Sequence, residues 1–152
     1  KNYADGLEGL DLLLGQEKDT ALKPVKGNEK FRSLKREALL LIGRLPPEGL
    51  ESYRLQFGAI ADKTLKSALA AGDPEQLTTV VRRYFHTTAG YQAALLLARH
   101  HLDHGRPLAA AQLLQSLCEA VPARELIGPQ MLSLAALSWH RAGHTQRAAE
   151  LL

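Results

Sequence analysis

Cysteine and aromatic residues are nearly missing from this 152-residue chain, which holds one Cys and 5% aromatic residues. A single thiol, Cys118, excludes an intrachain disulfide framework, and its place on the apolar stripe of a helix makes it a small buried hydrophobe. No run approaches the roughly 20 apolar residues that a membrane-spanning helix needs. Charge of one sign is also lacking: the formal net charge of +3 is too small a field to dictate binding to nucleic acid. Catalytic signatures are absent as well. There is no GxSxG, GxxxxGK, CxxC or HExxH, and the acidic residues are scattered rather than paired. Neither an enzyme nor a bound cofactor is expected.

What the chain has is leucine, alanine and a period. With 45% hydrophobic residues dominated by Leu and Ala, 152 residues make one domain, long enough for four to five stacked helical hairpins. Residues 90–122 form the clearest unit. Ala110, Leu113, Leu114, Leu117, Cys118 and Val121 follow i, i+3, i+4, i+7 spacing and draw one apolar stripe. Residues 93–98 are apolar all round, as in a helix packed on two sides. Between the two, Gly105 supplies a left-handed helix end, Pro107 a first helical turn, and Pro122 closes the unit.

Sliding this pattern along the chain puts turn glycines at Gly72, Gly105 and Gly143, spaced by 33 and 38 residues, close to the roughly 34-residue tetratricopeptide period. Packing positions fall on Leu65, Ala68, Leu77, Val81 and Tyr84 in the earlier unit and on Ala136, Trp139, Ala148 and Leu152 in the later one, with the extra length absorbed at 124–129. Asp73-Pro74-Glu75-Gln76 reads as a helix cap with a first-turn proline. The expected fold is an all-α, tetratricopeptide-like helical-repeat solenoid, a single domain over 1–152, with repeat units over 45–152. Residues 1–44 are less regular: an amphipathic helix over 2–15, a loop or short hairpin over 17–30, and a helix over 31–42. A long helix over 48–71 follows, in which Gly58 predicts a kink or a close helix contact. The chain starts at Lys1 and stops at Leu152 in mid-helix on this template, so it is expected to be a piece of a larger protein.

Beyond the generic repeat, Leu41-Ile42-Gly43, Leu45-Pro46, Gly49-Leu50, Gly72-Asp73, Arg82-Arg83-Tyr84-Phe85 and the AGxxAxxLLA of residues 89–98 carry a more specific likeness. Over residues 40–117 the chain resembles the tetratricopeptide-like N-terminal region of planctomycete proteins that carry a C-terminal PQQ-like β-propeller. The resemblance implies an exported protein of the periplasm or cell envelope, with its own β-propeller as one possible partner. It implies no catalytic residue and no quinone site.

His100 and His104 stand i, i+4 on one helix face, a spacing that can hold a metal, but no ordered carboxylate or cysteine partner accompanies them, and His101 takes a packing position. No metal site is expected. His86 belongs to a turn where a threonine caps the next helix. Arg82-Arg83 is either the outer face of a helix or a bidentate anchor for phosphate or carboxylate. Lys23, Lys26, Lys30, Arg32, Lys35 and Arg36 make a basic stretch with Asp19 and Glu29 as neighbours and no interleaved aromatics, a solvated face rather than a nucleic-acid site.

On the repeat template the first helix of each unit aims Asp62, Lys66, Gln92, Arg99, Asp103, Gln130, Ser133 and Arg141 into the concave groove. Such mixed charge reads a peptide or loop by hydrogen bonds and ion pairs. The expectation is a non-catalytic protein–protein interaction or scaffolding module. Two alternatives stay open: a structural spacer packed on its own propeller through the end at Ala148, Leu151 and Leu152, and a module contacting metal or nucleic acid.

Overall fold

The computed structural model describes residues 3–22, 32–120 and 127–152, and among these eight helices are packed together. They are α1 (Ala4–Gly15), α2 (Leu34–Gly43), α3 (Pro47–Ala71), α4 (Pro74–Tyr84), α5 (Thr88–Asp103), α6 (Pro107–Glu119), α7 (Pro129–Arg141) and α8 (Thr145–Ala149). A two-residue antiparallel pairing of β1 (Ala21–Leu22) with β2 (Arg32–Ser33) joins α1 to α2, flanking the segment expected to be a loop or short hairpin. Most of that segment, with Lys23, Lys26 and Lys30, lies outside the described residues, as does Pro122.

Local chemistry sets the helix starts. Asp73 accepts hydrogen bonds from the Glu75 and Gln76 amides, Thr87 from Gly90, and Ser33 from Arg36, each satisfying first-turn donors that have no helical partner. Pro47, Pro74, Pro107 and Pro129 occupy the first turn of α3, α4, α6 and α7, where a missing N–H costs nothing.

The helix ends repeat one device three times. Gly72, Gly105 and Gly143 have φ of 61°, 67° and 84°, the left-handed region that glycine enters without strain. The residue after each glycine donates its amide five residues back, Asp73 to Ala68, Arg106 to His101 and His144 to Trp139. Each glycine in turn donates three residues back, to Leu69, Leu102 and His140. This bond pair defines the Schellman motif. The expected turn positions are therefore the observed ones.

From α3 onward every helix packs against the next; α3 also meets α5, and α1 lies against α2, α3 and α4. The seams are lined by small residues. Ala61, Ala93, Ala94, Ala98, Ala110, Ala111 and Ala135 are fully buried and let the backbones approach closely, while Ile42, Tyr53, Val80, Leu114 and Leu117 fill the wider spaces. Gly90 marks the tightest approach: a Cβ there would run into the carbonyl oxygens of Tyr84 and Phe85.

Three expectations are corrected. Nothing lies within 4 Å of a Cβ built on Gly58, so this glycine does not mark a close helix contact, and α3 continues through it. Leu152, expected at a packing position, is 88% exposed because α8 stops at Ala149. Cys118 is half-buried rather than enclosed.

Candidate functional site

Four turns of α3 place Arg54, Gly58, Asp62 and Lys66 along one line at i, i+4 spacing. The start of α5 lies opposite, and between them Arg54, Gly58, Asp62, Thr87, Thr88, Ala89 and Gln92 line a cleft of about 320 Å³. Two of the expected groove residues, Asp62 and Gln92, are thus brought together. Lys66 joins them through an ion pair to Asp62 at 2.7 Å, with both side chains largely exposed. Arg99 and Asp103 continue along α5, and Gln130, Ser133 and Arg141 are exposed on α7. Ser133 lines a different cleft, between α7 and α8, floored by Ala136, Leu137 and Ala148. Arg54 was missed by the sequence reading, although the 54, 58, 62, 66 ladder was there to be read.

The histidines divide by role. His104 Nδ1 lies 2.8 Å from the His100 carbonyl oxygen, and the two rings lie 4.0 Å apart between centroids. Among the described residues no group of three potential ligands is positioned to hold a metal. His101 is half-buried with its Nδ1 unpartnered, and burial pushes its imidazole down, helped by Arg106. His86 is buried, as a clasp between helices. Its Nε2 lies 2.9 Å from the Leu39 carbonyl oxygen of α2, and its Nδ1 lies 3.5 Å from the Tyr91 hydroxyl of α5. Burial holds this imidazole below its ordinary pKa and the Arg54 charge adds to that, against the opposing Leu39 hydrogen bond.

Arg82 and Arg83 point to different ends. Arg83 makes the bidentate bond that its type suggests, but to this chain's own Asp11, Nε and Nη2 each donating at 2.7 Å to one carboxylate oxygen. The pair ties α1 to α4. Arg82 is exposed and lies on a second cleft of about 370 Å³, where α2 along its length meets the C-terminal halves of α4 and α6. The floor is apolar, with Leu39, Leu40, Val81, Phe85, Leu113 and Ala120. The rim carries Arg36, Arg44 and Arg82 with Ser116 and Glu119, and His86 and Gly43 close one wall. None of these three arginines is paired with a carboxylate among the described residues. Arg36 belonged to the basic stretch and Arg82 to the arginine pair in the sequence; only the fold brings them onto one cleft.

No protein-family model, no curated protein and no solved structure matches this chain. No described helix is long and apolar enough to cross a membrane.

Proposed function

We propose that this chain is a tetratricopeptide-like helical-repeat module that binds a peptide or protein loop along the α3/α5 face and performs no catalysis. The observation that carries this reading is the polar cleft between α3 and α5, where Arg54, Asp62 and Gln92 offer donors and acceptors side by side. An extended peptide presents both N–H and C=O groups, so it needs both kinds of partner. Arg99 and Asp103 prolong the same mixed character along α5. The thrice-repeated Schellman turn supports the solenoid reading, because repetition of one connection is how a solenoid keeps its helices in step. The likeness over residues 40–117 supports placing the module in an envelope scaffold protein beside a β-propeller.

The test is selection of peptides from a random display library on the intact chain, followed by affinity measurement on a variant with Asp62→Lys and Arg99→Glu. Selected peptides should lose at least tenfold in affinity with helicity by circular dichroism unchanged. Equal affinity for both forms would take the function away from this face.

A second reading, the structural spacer, is favoured by one observation: the α7/α8 cleft is apolar and bordered by exposed Leu137 and Leu152. Such an end is covered by a neighbouring domain or a second copy. Self-association abolished by Leu137→Asp would support it, and a monomer by light scattering at high concentration would count against it.

A further inference from the structure

We propose that the cleft between α2, α4 and α6 is a docking site for an acidic peptide segment. One bulky apolar side chain would lie on Val81, Phe85 and Leu113, with flanking carboxylates against Arg36, Arg44 and Arg82. The site is on different helices from the α3/α5 face, and the inference does not depend on that reading.

Among the described residues, no carboxylate is ion-paired with these arginines. Arg44 and Arg82 stand near helix C-termini, where arginine commonly caps terminal carbonyls, whereas Arg36 is in the first turn of α2. Several nearby carbonyls are met by other groups: Leu39 by His86, Arg83 by the Tyr53 hydroxyl at 3.1 Å, Tyr84 by Thr87, and Ser116 by the Ala120 amide. The guanidinium groups are left facing outward, with bidentate forks suited to carboxylates.

Glu119 and the three helix ends, each worth about −0.5 charge, leave about half a positive charge over the cleft. Long-range attraction is therefore weak, and recognition rests on direct guanidinium–carboxylate contacts beside an apolar anchor. His86 takes no part as a ligand, since Leu39 and Tyr91 already face its two ring nitrogens; it is floor.

The rim chemistry favours a peptide over a free fatty acid. A fatty acid needs only donors at the rim. This rim also carries acceptors: Glu119, which receives the Gln115 amide on one oxygen, and Ser116, whose hydroxyl proton goes to Gln112 and leaves its oxygen open. Acceptors beside an apolar floor suit peptide N–H groups.

Fluorescence anisotropy with the whole chain tests this, using a labelled pool of hexapeptides in which glutamates flank Leu, Ile, Phe or Met. Saturable binding is expected, reduced at least tenfold when glutamine replaces glutamate. Arg36→Glu with Arg82→Glu should cause a similar loss, and so should Ser116→Trp, an exposed position where bulk fills the cleft without touching the core. Asp62→Lys with Arg99→Glu should leave this binding intact, which separates the site from the α3/α5 face. Absence of binding up to about 1 mM by every pool member would overturn the proposal, as would equal binding of the glutamine peptides or indifference to both cleft variants. Binding of decanoate in place of peptide, abolished by Ser116→Trp, would overturn it in favour of a small amphiphile.

Discussion

Removing the Asp11–Arg83 pair should loosen the N-terminal helix without unfolding the stack. The pair is bidentate at 2.7 Å, with the Arg83 side chain 34% exposed and that of Asp11 15% exposed. Full burial would make a broken pair cost about 3–5 kcal/mol, whereas exposed pairs contribute about 0–1 kcal/mol. Partial exposure lets Arg83 turn to solvent when its partner is lost, so a coupling of about 1–2 kcal/mol is expected between those limits. For a chain of this size that corresponds to a shift in Tm of about 2–8 °C. The assay is a double-mutant cycle of Asp11→Ala and Arg83→Ala by urea unfolding, which removes the separate loss of the Arg83 contact with the Tyr84 ring. Amide exchange should accelerate in α1 before the rest. Additive single variants, with coupling under about 0.3 kcal/mol, would refute the view that this bond anchors α1.

Three further outcomes are expected. Leu114→Ala, at a site with no exposed surface, should cost about 2–5 kcal/mol in urea melts, and a cost under about 1 kcal/mol would remove Leu114 from the core. Gly90→Ala should destabilise the protein despite alanine's higher helix propensity, because the methyl group meets the Tyr84 and Phe85 carbonyls; a gain in Tm would show that α5 has room to shift. His86 is held neutral in the fold, whereas an unfolded imidazole titrates near 6.5, so the unfolded chain binds the extra proton and stability falls as pH drops through about 6.5 toward the lowered native value. The wild-type advantage over His86→Gln should therefore be full above that pH and shrink below it, by at most about 1.4 kcal/mol per pH unit; a pH-independent difference would sink the argument.

The features legible in the sequence were those written by neighbours along the chain. Gly72, Gly105 and Gly143, the Asp73 cap and the stripe through Ala110, Leu114 and Leu117 are all decided within a turn or two. Residues defined by distant partners were less legible. Arg83 finds Asp11 72 positions away, and nothing local distinguishes it from Arg82. His86 is the turn residue it was read as, with Thr87 capping α5, but its bond to Leu39 of another helix left no local mark. The arginine-rimmed cleft is assembled from α2, α4 and α6, so periodicity within any one helix does not reveal it. Leu152 fails for another reason: the stripe assumes that the helix continues, and α8 stops at Ala149.

The order in which helices pack has a consequence for folding speed. From α3 to α8 most contact surfaces join consecutive elements, with α3 against α5 in addition, so loop-closure entropy is small at most steps. Such chains fold in microseconds to milliseconds. The clasp between α1 and α4 closes a much longer span, 72 residues. If it forms after the rate-limiting step, breaking it leaves the refolding rate unchanged and appears almost entirely as faster unfolding. The resistance of this protein to transient opening then rests on a bond that plays no part in how quickly it is made.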